Sequence, residues 1–171
     1  MLIDASLGTA CCGGSMAPRP PQPERRQPDA LSVQMNIAQT AIANGAVLPL
    51  AGSVRQFGNG LAYDAANHAV IVKEAGVYFF SWDVLTQTAG EEGDVVIALQ
   101  SLDGAVLLAT SGAADVTAEG STQVSGSAVA MLPAGSAWAL VNASGDALSI
   151  PVAGTAPAAF AASLNVFRLS Q

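Results

Sequence analysis

The sequence predicts an all-β protein, an antiparallel jelly-roll sandwich of about ten strands, and three observations carry that prediction. From residue 31 onward, short apolar runs are punctuated by Gly, Asn, Asp and Pro roughly every 8–12 residues, the spacing of a sandwich or barrel. No stretch of about a dozen residues holds a 3.6-residue hydrophobic period, because Val, Gly, Ser and Thr interrupt the abundant alanines. Asp103-Gly104 stands between VVIALQSL and AVLLAT, a dipeptide suited to a tight type I′ hairpin turn.

On this reading, strands are expected over 32–39, 46–50, 61–64, 69–73, 76–86, 95–101, 105–109, 122–131, 136–142, 146–151 and 160–169. Asn59-Gly60, Ala134-Gly135 and Ser144-Gly145-Asp146 supply further turns. The run 77–84 is the most informative. One face carries Tyr78, Phe80, Trp82 and Val84; the other carries Val77 and Phe79 before turning polar at Ser81 and Asp83. A half-solvated antiparallel strand alternates cleanly, so apolar residues on both sides ask for a second covering. Val95-Val96-Ile97-Ala98-Leu99 is two-faced in the same way. With no helices to lie on the sheet, a neighbouring subunit is the simplest cover. The expected core or subunit-interface residues are Val77, Tyr78, Phe79, Phe80, Trp82, Val96, Leu99, Trp138, Leu140, Leu164, Val166 and Phe167.

Composition points the same way. Of 171 residues, 51% are hydrophobic and 11% charged, against roughly 25% charged in ordinary soluble domains. So little charge leaves much apolar surface on a lone domain, and association of like chains follows as the expectation. Six basic residues against thirteen acidic ones give a net charge of −7, with Lys73 the single lysine. Such a chain offers nothing for nucleic acid or an anionic membrane to bind. Apolar runs are broken well short of the 18–20 or so residues of a spanning helix. MLIDASLGTA lacks the basic start of a secretory signal.

The chain divides at about residue 30. Residues 1–16 hold Cys11, Cys12 and a short apolar tip with Leu2, Ile3 and Leu7; residues 17–30 contain APRPPQPERRQP, a polyproline II spacer; residues 31–171 form the jelly roll. The tip residues are expected to dock on a neighbour. Adjacent Cα atoms lie about 3.8 Å apart, below the roughly 4.4–6.8 Å of a relaxed disulfide, so Cys11 and Cys12 are expected to bond to other subunits.

Catalytic chemistry finds few reagents here. His68, the only histidine, lies at a turn with Asp64 as its nearest acid in sequence. Glu91, Glu92 and Asp94 cluster without the ordered oxygen spacing of a calcium loop. Ser111, Ser125 and Ser144 stand beside glycine, yet no G-x-S-x-G elbow occurs. No enzyme activity, metal site or cofactor is expected.

Four segments, VLPLAG (47–52), GNGLAYDAANHAVIVKEAGVYFFSWDV (58–84), TQVSGSAVAMLPAGSAWALVNASGDALSI (122–150) and AASLNVFRLS (161–170), follow one another in a familiar order. In these, Gly76 and Gly135 open strands and Asn142 ends one. The order resembles the C-terminal domain of bacterial collagen-like spore-surface glycoproteins of the BclA type, jelly rolls of the tumour-necrosis-factor/complement kind. That resemblance implies a compact homotrimer, no enzymatic activity, and a place outside the cell on the spore surface or exosporium. No Gly-X-Y tract precedes the domain; the Cys-Cys head and proline-rich spacer instead resemble subunits of endospore appendages, whose connectors join subunits head to tail. The expected function is a structural fibre subunit. The alternatives are a receptor- or glycan-binding tip and a spore-surface anchor, and an anchor protein is a further expected partner beside the chain itself.

Overall fold

Alternating burial along the strands builds two antiparallel sheets that face one another across a single apolar core. The computed structural model describes residues 28–88, 92–117, 119–154 and 160–170. Within these the strands are β1 (Ala30–Met35), β2 (Gln39–Ile42), β3 (Ser53–Phe57), β4 (Leu61–Asp64), β5 (Ala69–Val72) and β6 (Gly76–Thr88). They continue as β7 (Gly93–Ser101), β8 (Leu107–Val116), β9 (Thr122–Leu132), β10 (Ala137–Asn142), β11 (Leu148–Ile150) and β12 (Ala162–Ser170). In the first sheet β6 is central: β9 runs beside it, while β12, β1 and β3 follow on from its pairing with β12, and β11 and β2 extend from its end. The second sheet has the order β4-β5-β10-β7-β8. Among the described residues there is no helix.

The core is filled by the alternate residues of each strand, as a period of two requires. Tyr78, Phe80, Trp82 and Val84 of β6, with Leu31, Val33, Leu164 and Val166 beside them, meet Ile97, Leu99, Trp138 and Leu140 of the second sheet. Trp82 joins the layers through a polar contact, its Nε1 donating to Ser111 Oγ at 2.8 Å. Gly126 lies opposite Trp82 in β9, and a Cβ there would run into the indole ring. The large ring and the absent side chain are one packing unit.

Several expected boundaries move. The run 32–39 divides into β1 and β2, and 46–50 forms no strand. There a Val47–Val141 bridge and a Leu48 N–H donation to Leu140 O hold an extended segment beside β10. β3 was not expected at all. Its five residues are exposed on the sheet's edge, so SVRQF carries no apolar alternation to read. β8 runs to Val116, far beyond the expected 109, because Gly112 and the alanines pair with β7 without needing bulk. The β7–β8 hairpin forms where Asp103-Gly104 places it, but its connection spans residues 102–106 and only Gly104 takes positive φ. The two-residue type I′ turn is therefore replaced by a longer loop. In it Asp103 Oδ1 accepts from Ser101 Oγ and from Ala105 N–H.

Candidate interaction surface

The outward face of the first sheet is ordered in rows across the strands. In one row the register sets Phe57, Ala30, Phe167, Phe79 and Val129 side by side. Val77 and Met131 form the next row toward the sheet's end. In the opposite direction come Arg55, Ser32, Asn165, Ser81 and Ser127, then Ser53, Gln34, Ser163, Asp83 and Ser125. The face is thus apolar at the end where β6 begins and polar toward its middle.

The apolar end is open. Phe57 is 62% exposed, Val129 61% and Met131 69%, with Phe167 and Leu169 also exposed. Phe79 and Phe167 stack with ring centroids 6.5 Å apart. Five such side chains offer apolar surface on the order of 500 Å², the size of the largest patch on a typical single chain, which often has a function. In β9 the ordinary inward bias is inverted: Val129 and Met131 point out while Ala128 and Ala130 pack against the core.

Two clusters within the polar rows are hydrogen-bonded internally. Ser32 Oγ donates to Asn165 Oδ1 at 2.7 Å. Asp83 Oδ1 accepts from Ser125 Oγ at 2.5 Å and from Gln123 Nε2 at 3.1 Å.

An ionic clamp lies at the same end of the sheet, on the side of Tyr78 and away from the exposed apolar row. Arg168 Nη1 donates to Asp29 Oδ2 at 3.2 Å and to Glu74 Oε2, while Nη2 donates to Ala75 O at 2.6 Å. Asp29 Oδ1 accepts from the backbone N–H groups of Gly60 and Asn59 at 2.8 and 3.0 Å. Burial pushes the Asp29 carboxyl up, but the hydrogen bonds from Gly60, Arg168 and Asn59 outweigh it and hold the carboxyl below its ordinary value. The hydrogen bond to Glu74 raises Arg168 further above its already high value. Tyr78 completes the corner by donating to Glu74 O at 2.6 Å. Asp29 immediately precedes Ala30 of the apolar row, so the chain enters the domain at this end.

The residues singled out by sequence fall into three groups. Tyr78, Phe80, Trp82, Leu99, Trp138, Leu140, Leu164 and Val166 are buried. Val77 and Phe79 are half-buried and Phe167 exposed, all on the outward face just described. Val96 is half-buried on the far side of the second sheet, away from the Phe79 face, so these positions do not form one surface. Leu2, Ile3, Leu7, Cys11, Cys12 and Glu91 lie outside the described residues. Phe57, Val129, Met131 and the Asp29–Arg168–Glu74 clamp were not anticipated.

His68 sits in the turn after β4 at φ 51° and is half-buried. Asp64 does not orient it. Its carboxylate accepts from Ala66 and Asn67 N–H groups and from Asn67 Nδ2, which closes the turn and lowers its pKa, chiefly through Asn67. Nearby, Tyr63 donates to Leu50 O at 2.6 Å, and burial pushes its hydroxyl up to about 12. No group of three or more metal-ligating side chains comes together among the described residues.

No family model matches this sequence, and no curated protein resembles it closely enough to count as a relative. Solved structures do match. The Eiger TNF of S. frugiperda is similar with a TM-score of 0.62 at 14% identity, covering 85% of this chain and 94% of that one. The globular domain of zebrafish complement 1qA has a TM-score of 0.56 at 20% identity, covering 82% and 97%. Murine APRIL at pH 5.0 has a TM-score of 0.56 at 11% identity, covering 83% and 99%. The fold is that of the tumour-necrosis-factor/complement jelly rolls.

Proposed function

We propose that this chain is a non-enzymatic structural subunit whose jelly rolls associate with one another, as homotrimers, through the outward face of the first sheet. Residues 1–16 then link one trimer to the next in a fibre on the surface of a bacterial spore, the exosporium, where an anchor protein holds the fibre's base. The observation that carries this reading is the exposed apolar end of the first sheet. A face of that kind is stabilised by burial, and further copies arranged around a closed ring supply surface to cover it. The tumour-necrosis-factor/complement fold supports a self-associating module. The entry of the chain at Asp29, beside the apolar row, supports an arm that leaves where copies would meet. A head-to-tail contact that does not close generates an open filament.

Electron microscopy of the full chain and of a chain lacking residues 1–16 tests the proposal. The full chain is expected to give filaments and the shortened chain discrete particles larger than one subunit. Filaments that persist without residues 1–16 would overturn the role of the arm.

A further inference from the structure

The outward face of the first sheet carries two charged side chains among the described residues, and they are of opposite sign. Arg55 lies on β3 and Asp83 on β6. Three strand spacings separate them, roughly 14 Å, with about 7 Å more along the strands. They cannot meet within one chain. The Arg55 side chain is exposed and makes no hydrogen bond or ion pair among the described residues. Asp83 is held in place by Ser125 and Gln123, both bound to Oδ1, which leaves Oδ2 without a hydrogen bond among the described residues.

Resting on the self-association proposed above, we infer that Arg55 of one copy pairs with Asp83 of the next and fixes how the copies register. Covering the face removes Asp83 from water, and its two hydrogen bonds leave the negative charge uncompensated, so association is favoured by a cation placed there. Only a second copy presents one on this surface. A packing that lays the β6–β9 side of one copy over the β1–β3 side of the next also brings Phe57 against Phe79 and Val129, since these share one row. The arginine side chain is long enough to cross the single-row offset between Arg55 and Asp83. Each copy then gives one charge to either neighbour, and the contact is heterologous, as a closed ring requires. Charge complementarity of this sort selects register and excludes wrong pairings.

Sedimentation equilibrium of the full chain tests the pairing with Arg55→Asp, Asp83→Arg and the double reversal, each checked for β structure by circular dichroism. Each single reversal is expected to weaken association by about tenfold or more, and the double reversal to return it to within about threefold of the wild type. Single variants that associate like the wild type, or a double variant no better than the singles, would overturn the pairing while leaving self-association intact. A wild type that stays a single chain would overturn the association itself.

Discussion

Asp29 binds three parts of the molecule at once: the strand it begins, the Asn59-Gly60 turn through two N–H groups, and β12 through Arg168. Replacing it by Ala leaves Arg168 short of a partner and frees both N–H groups, at a cost of about 1–3 kcal/mol readable by urea denaturation. The pH dependence has a fixed sign. Because the folded chain holds this carboxyl below its ordinary value, its contribution is complete above about pH 4 and is lost as pH falls through the lowered native value. The stability gap between wild type and Asp29→Asn should therefore be constant near neutrality and shrink below about pH 4. A gap that widened on acidification would contradict the clamp. Gly126 gives the steric counterpart. Gly126→Ala drives a methyl into the Trp82 ring and should cost about 1–3 kcal/mol, with a change in near-ultraviolet circular dichroism as the indole moves. A variant as stable as the wild type would show that the ring has room to yield.

At the scale of elements, Asn142 shows what a strand end can hold. Buried at the close of β10, it donates from Nδ2 to Ile42 O and Asp146 O, both at 2.8 Å, and accepts from Ser144 N–H at 2.9 Å. It thereby ties the end of β2 to the turn before β11. Asn142→Ala should cost about 2–3 kcal/mol and raise amide exchange in both turns together, since one side chain serves both. Much of this level was legible in sequence: β4, β5, β6 and β10 lie close to the runs that alternation and turn residues picked out. What escaped did so for physical reasons. β3 is an exposed edge whose five residues need no apolar pattern to pair with β1. The alanine- and glycine-rich β8 hydrogen-bonds by backbone and carries little bulk to read. In β9, alternation separates Val129 and Met131 from Ala128 and Ala130 but is silent on which set faces the core; the structure turns the larger pair outward.

For the whole molecule, low charge and two-faced strands led to the expectation of a partner, and the proposed place for it is the apolar end of the first sheet. The two-faced character of 77–80 was readable from the sequence, and the structure places Phe79 half-buried on the outward face. Phe57, Phe167 and Val129 join the same row only through pairings between strands far apart in the chain, which no local pattern encodes. Replacing Phe79 and Val129 together by Ser should weaken association by about 2–4 kcal/mol while leaving the fold cooperative, because neither side chain fills the core. Equal association of this variant and the wild type would move the contact to another surface.

The central claim is that copies of this chain cover one another's first sheet. Sedimentation velocity of the full chain at micromolar concentration tests it most directly. The account predicts a discrete species several times the mass of one chain, dispersed by the Phe79→Ser/Val129→Ser substitutions; a stable, monodisperse single chain at that concentration would contradict it.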